Sequence, residues 1–175
     1  MSYSLRISIS KQMLEVFAKP LANDLDSSIG SPSIENPLKS YSISTALNGV
    51  GCNKNSGRTP LGRHIIRAKI GQDQPLNTVF VGRRPTGEIY SEDLAQAQPN
   101  RDWILTRILW LSGTEIGVNR LRDVDTMQRY IYIHGTPESE PMGIPLSHGC
   151  IRMHNKDLVA LFDLVDVYTP VEIVC

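Results

Sequence analysis

A chain of 175 residues with 41% apolar side chains is long enough to bury a core without disulfide staples, and residues 1–175 read as a single soluble domain. Eighteen basic residues balance eighteen acidic ones, which removes the electrostatic case for a nucleic-acid partner, since phosphates call for a basic surface. The three cysteines, Cys52, Cys150 and Cys175, are odd in number and include no CxxC pair, so a disulfide framework is not indicated and a reducing compartment fits.

In chain order, the start has no basic region followed by a continuous apolar run. It reads as neither signal peptide nor membrane anchor, and the expectation is a cytoplasmic protein without membrane contact. Leu5, Ile7 and Ile9 alternate with Arg6, Ser8 and Ser10, the period of a half-buried strand. Lys11-Gln12 turns the chain into a second strand from Met13 to Phe17. Residues 18–39 are rich in Ser, Pro, Asn and Asp, a loop long enough to wrap the surface or cover a site. Ser40 to Ala46 is a strand candidate with Tyr41, Ile43 and Thr45 on one face, and Asn48 to Gly57 is a flexible turn region.

Thr59-Pro60-Leu61-Gly62 leads into a strand carrying Ile65, Ile66 and Ile70, and Thr78 to Val81 is short and apolar. Residues 82–102 are polar, with a short helix at Glu92 to Gln98; the pair Arg83-Arg84 reads as a solvated turn. Segments 18–39 and 82–102 are both candidate lids. Trp103 to Leu111 is apolar on both faces except at Thr106 and Arg107, the mark of a central strand. Arg107 then needs a partner, and a structural salt bridge is expected. Arg129 to Ile133 reads as a strand ending at His134. Asn155 is the expected N-cap of the clearest helix, with Asp157 in its first turn and Leu158, Leu161, Phe162 and Val165 as the packing stripe. Thr169-Pro170 ends it and Val171 to Val174 closes as a strand. The fold class expected is mainly β, with one main α-helix beside a catalytic loop.

The chemistry concentrates between Ile133 and Met153, IHGTPESEPMGIPLSHGCIRM. A cysteine is a nucleophile only as thiolate and needs a base or positive field nearby. His134 precedes Cys150 by sixteen residues, and a loop eased by Gly135, Gly143 and Gly149 can fold the imidazole back to the thiol. His134 then takes the thiol proton and returns it to a leaving amine. The carbonyl or hydroxyl of Gly135 or Thr136 can fix the other ring nitrogen. Gly149 lets a scissile carbonyl approach the backbone N–H groups of His148 to Cys150, an oxyanion hole of about 3–4 kcal/mol per donor. Arg152 suits a substrate carboxylate as a bidentate fork. Two other readings use the same residues. A zinc site from His134, His148, Cys150 and His154 lacks the usual paired cysteines. A non-catalytic binding module with structural histidines is disfavoured by the retained thiol. His154 reads as a surface residue, and His64 lies in or beside a strand.

The stretch HGT…PLSHGCIRM resembles the signature of the L,D-transpeptidase (YkuD/ErfK) catalytic domain, and Thr59-Pro60-Leu61-Gly62 is similar to that family's TPxG element. The closing segment, Leu161 to Ile173, resembles the family's end, so the likeness covers most of the chain after about residue 40. It implies a β-sandwich-like fold with Cys150 as nucleophile and His134 as base. His148 and Gly149 would line the oxyanion site, Gly135 and Ser147 would lie beside them, and Arg152 would meet the substrate. The implied substrate is a muropeptide or peptidoglycan stem tetrapeptide, cleaved after its third residue with release of D-alanine. No metal or organic cofactor is implied, and a carbapenem adduct at the thiol is. Two departures stand out. Tyr168 occupies the place of a glycine common before the last Thr-x-Val, which reads as a turn variant. The domain is expected to stand without an export signal or a peptidoglycan-binding module. The expectation is therefore an L,D-carboxypeptidase that trims murein tetrapeptides to tripeptides in cytoplasmic recycling, with transpeptidation as the alternative.

Overall fold

The structure is a computed structural model that describes residues 2–19 and 36–175; most of the loop expected at 18–39 lies outside the described residues. The alternation at the start forms β1 (Ser2–Ser8), which turns at Lys11-Gln12 into antiparallel β2 (Met13–Lys19). The next strand, β3 (Lys39–Ser42), is shorter than the Ser40 to Ala46 expected. Beyond it the chain makes isolated bridges, Ser44 to Arg152 and Ala46 to Ser147. Buried Gln12 fixes this departure, donating to Thr45 Oγ1 at 2.7 Å and accepting from Thr45 N–H at 2.8 Å. Residues 44–46 are thereby carried against the His/Cys loop.

Ile65, Ile66 and Ile70 fall in β4 (Gly62–Ile70), and Thr78–Val81 is β5. The segment after it was expected as polar connection but contains β6 (Arg84–Ile89), an almost wholly exposed strand paired with β5. Its backbone is in a ladder while its side chains carry no apolar signal. The short helix α1 (Glu92–Ala97) follows, capped by Ser91 Oγ on Leu94 N–H at 3.2 Å.

The apolar run at 103–111 becomes β7 (Ile104–Gly113), the central strand, which pairs with β4, with β5 and with β8 (Tyr132–Thr136). Leu105, Ile108, Leu109 and Leu111 are fully buried. The register against β8 slips between Leu105 and Ile108, a bulge centred on Thr106 at φ 72°. A β-branched residue adopts that conformation only under constraint. Here Thr106 Oγ1 donates to Asn155 Oδ1 at 2.7 Å and accepts from Asn77 N–H at 3.0 Å. Among the described residues Arg107 does not have the ion pair expected. Its Nη1 donates to the carbonyls of Gln74 and Thr106, both at 2.7 Å, and its guanidinium lies 5.6 Å from the Phe162 ring centroid. Carbonyl acceptors and an aromatic face replace the carboxylate.

The main helix, α2 (Asn155–Leu164), buries Leu158, Leu161 and Phe162 as its spacing demands. Its N-cap is His154, not Asn155. Asn155 is buried instead, its amide donating to Asn77 Oδ1 and to the Thr136 carbonyl, both at 3.0 Å. The four-residue strand β9 (Ile151–His154) runs directly into α2, and β10 (Pro170–Val174) closes the chain beside β1 and β4. Tyr168 takes φ 68°, the left-handed turn position that glycine enters without strain, in accord with the turn variant read from the sequence.

Among the described residues one ten-stranded sheet results, in the order β3-β2-β1-β10-β4-β7-β5-β6, with β8 and β9 branching from β7. The main core lies between α2 and the strands β1, β2, β4 and β7 to β10. A smaller cluster of Phe80, Ile108 and Tyr132 lies under Cys150.

Candidate active site

The pairing of β8 with β9 closes the sixteen-residue gap between His134 and Cys150. The two strands are parallel, with Ile133 beside Ile151 and His134 beside Arg152, so Cys150 enters β9 diagonal to His134. Diagonal neighbours on adjacent strands are within side-chain reach. Tyr132, His134, Cys150 and Arg152 accordingly line one cavity of about 480 Å³. The expected strand at 129–133 begins only at Tyr132 and runs past His134 to Thr136. Tyr130 takes φ 56° and breaks the extended run, while Arg129 turns away to donate to the carbonyls of Gly51 at 3.1 Å and Arg58 at 2.6 Å.

Buried His134 has Nδ1 2.7 Å from the Gly135 carbonyl oxygen. A carbonyl only accepts, so Nδ1 carries the proton and Nε2 keeps its lone pair. Burial holds the imidazole below its ordinary value, opposed by the Gly135 bond and by Asp102 and assisted by Arg152. Burial likewise pushes the Cys150 thiol up to about 12; the Tyr132 N–H opposes this, Asp102 adds to it, and Arg152 and Arg129 oppose it. The sulfur accepts from Tyr132 N–H at 3.4 Å and donates to the Tyr130 carbonyl at 3.4 Å. Cys150 nonetheless keeps an open face to the cavity. Both charged forms are desolvated, so the pair rests as neutral thiol and neutral imidazole. Such a pair can move a proton from sulfur to Nε2 as the sulfur attacks.

The loop before the thiol is held from within. Ser147 Oγ donates to the Cys150 carbonyl and accepts from Gly149 N–H at 3.2 Å. Ser147 therefore borders the cavity, but its hydroxyl is engaged in the loop and not offered to a substrate. The same bond takes Gly149 N–H out of the donor set expected for an oxyanion, leaving the amides of His148 and Cys150 on either side. Gly149 has φ 135°, and a Cβ there would meet Ile131 Cδ1 at 3.2 Å and the Arg58 carbonyl at 3.4 Å. Its carbonyl accepts from Thr59 Oγ1 at 3.0 Å, and Thr59 Oγ1 accepts from Ala46 N–H at 3.0 Å. The Thr59-Pro60-Leu61-Gly62 element is thus the strap that holds the loop. Gly135 is buried behind His134 in β8, where a Cβ would run into Asn155 Oδ1 and the Leu105 carbonyl. It acts on the site through its carbonyl. His148 is exposed and borders the cavity.

The description "L,D-transpeptidase catalytic domain" (YkuD) matches residues 3–173. The chain belongs to this family. A probable L,D-transpeptidase, YbiS of Escherichia coli strain K12, is 30% identical over 115 residues, covering 61% of this chain and 35% of the relative. The putative L,D-transpeptidase YqjB of Bacillus subtilis strain 168 is 51% identical over 39 residues, 22% of each chain. The chain spans about a third or less of the length of these curated relatives. Among solved structures, L,D-transpeptidase 3 from Mycobacterium tuberculosis in complex with a faropenem-derived adduct aligns with TM-score 0.53 at 17% identity, covering 99% of this chain and 60% of that one. Bd1075 of Bdellovibrio bacteriovorus aligns with TM-score 0.56 at 13% identity over 97% of this chain and 46% of that one. The mainly β architecture, a curled sheet with one main helix, is the one these structures share.

In this L,D-transpeptidase domain Arg152 is not a free cation. Its side chain is 11% exposed and lies 3.3 Å from Asp102 and 3.5 Å from Glu140. The zinc-type set does not assemble: His154 turns to Glu138 at 2.7 Å. Among the described residues no group of three or more His, Cys, Asp or Glu side chains is placed to hold a metal ion. His64 is buried in β4, its Nε2 3.1 Å from Thr126 Oγ1 and far in topology from the thiol. Sequence reasoning missed Arg83, Asp102, Tyr130 and Tyr132, all on the cavity wall. None belongs to the His/Cys stretch except by folding, and only the tyrosines adjoin it in sequence.

Proposed function

We propose that the protein is a cysteine acyl-transfer enzyme acting on peptidoglycan stem peptides, and that its acceptor is water. In this reading it is an L,D-carboxypeptidase that removes terminal D-alanine from murein tetrapeptides, in the cytoplasm, as part of peptidoglycan recycling. The observation that carries the chemistry is the tautomer of His134, Nδ1–H on the Gly135 carbonyl and Nε2 open, in one cavity with Cys150. Family membership supplies the substrate class.

Nε2 of His134 takes the thiol proton while Sγ attacks the carbonyl carbon of the third stem residue. The oxyanion develops beside the His148 and Cys150 amides, where a preorganised donor contributes about 3–4 kcal/mol. The imidazolium then protonates the departing amine, the C–N bond breaks, and D-alanine leaves behind a thioester. Water, losing a proton to Nε2, attacks the thioester carbonyl; the C–S bond breaks and the sulfur regains its proton. The open face of Cys150 supports this last step, because solvent reaches the thioester.

A second reading, transfer to an amine, is favoured by one observation. Asp102 is 57% exposed at the cavity rim, a carboxylate suited to an incoming ammonium group. A disaccharide-free tetrapeptide incubated with and without an added D-amino acid separates the two. Tripeptide release without the amine is the expected result; D-amino acid exchange with negligible hydrolysis makes the protein a transpeptidase. A carbapenem offers an acyl group to the same sulfur, and the expected outcome is one adduct per chain on Cys150, absent from Cys150→Ala, by intact-mass measurement.

A further inference from the structure

The β5–β6 hairpin closes through Gly82-Arg83, with Val81 paired to Arg84 and both turn residues at positive φ, 54° and 66°. That is the two-residue turn whose twist suits a hairpin, and its second position favours glycine or asparagine. The turn read from the sequence is therefore present, but Arg83 is only partly exposed. Its side chain reaches back over the cavity, with the guanidinium carbon 4.7 Å from the ring centroids of both Trp110 and Tyr130. Nη1 donates to Tyr132 Oη at 3.1 Å. Tyr132 is the residue whose backbone N–H contacts the Cys150 sulfur, so one tyrosine side chain separates the guanidinium from the thiol.

The cavity thus has two cations in different states. Arg152 is held by Asp102 and Glu140. Arg83 is bonded to a phenol and stacked on rings, and among the described residues no carboxylate pairs with it. A guanidinium presents five N–H donors in a planar fork matched to a carboxylate. Among the described residues one of the five is bonded. An aromatic bed fixes the plane of that fork without neutralising its charge. We infer that Arg83 is a specificity-determining residue that receives a carboxylate of the donor peptide, the part first read onto Arg152, while Arg152 is held by the cavity's own carboxylates. The inference rests on the stem-peptide reading above. The carboxylate can be the terminal one, on the departing residue, or an internal one on the acyl side, since both lie within one or two residues of the scissile bond.

The test compares the wild-type protein, Arg83→Met and Arg83→Lys on a stem tetrapeptide and on versions amidated at one carboxylate at a time. Wild-type kcat/KM is expected to fall roughly ten- to a hundredfold for one amidated version, which names the carboxylate. Arg83→Met is expected to lose a similar factor on the free peptide through KM, with kcat within about threefold, and no longer to distinguish the amide. Arg83→Lys keeps the charge without the fork and recovers part of the discrimination. The thermal unfolding midpoint of each variant is measured alongside. Arg83→Met losing the same factor on every peptide assigns the residue to hairpin packing and overturns the proposal. Wild-type turnover that ignores every amidation overturns the carboxylate contact alone. Wild-type protein that turns over none of the peptides overturns the stem-peptide reading and this proposal with it.

Discussion

Cys150 and His134 face a shared electrostatic problem: burial penalises both the thiolate and the imidazolium. Burial pushes the thiol up to about 12 and the imidazole down, so it favours the neutral pair over the ion pair until bonds change. Alkylation of Cys150 by iodoacetamide is therefore expected to climb steadily with pH from about 5 to 9. A plateau reached by about pH 5 would show a preformed ion pair instead. His134 works as a base only when unprotonated, so the acid limb of kcat/KM falls below the ordinary imidazole value. Asp102 raises both groups. Asp102→Asn is expected to move that acid limb to lower pH, read from the kcat/KM profile; an unmoved limb contradicts the assignment of His134 as the titrating base.

The elements around the site explain why a motif so plain in the sequence left much of its setting hidden. The meeting of Cys150 with His134 was legible because the stretch from Ile133 to Met153 holds a thiol and two imidazoles, while the partner of the second ring nitrogen stayed open between Gly135 and Thr136. The strap from Thr59 to Gly149 spans ninety residues and no local pattern shows it. Thr59→Val keeps the shape and removes the hydroxyl that bonds Ala46 N–H and the Gly149 carbonyl. It is expected to cost about 1–3 kcal/mol in urea unfolding and to lower kcat more than it raises KM. Full kcat with lost stability would make the strap structural only. The bulge at Thr106 was illegible for a different reason: a β-branched residue at positive φ is held by Asn155 and by the chain at Asn77, both distant in sequence. Strand β6 was missed because an exposed edge strand has no apolar alternation, and β9 because four residues beside a glycine-rich loop are too few for a period. The central strand β7 and the helix α2, long and strongly patterned, were readable from side chains alone.

For the molecule as a whole, β1 pairs with β10, so the sheet brings the two ends of the described chain together. Its stability should depend on a histidine outside the site. His64 is 1% exposed, and burial lowers it to about 4, with the Gly62 carbonyl and Glu115 opposing and Arg129 assisting. A depressed imidazole favours the neutral folded form. Its contribution is fully present above the unfolded value of 6.5 and is lost as pH falls toward 4, a loss of about 3 kcal/mol. His64→Gln is expected to flatten the wild-type decline in unfolding free energy over that window, and parallel curves would contradict it. The central claim, that Cys150 carries the acyl group of a stem peptide, is tested most directly by intact-mass measurement on protein quenched early in its reaction with a tetrapeptide. The expected result is a tripeptidyl thioester on Cys150 with D-alanine in solution, and neither species with Cys150→Ala. Tripeptide released by Cys150→Ala at the wild-type rate would contradict the account.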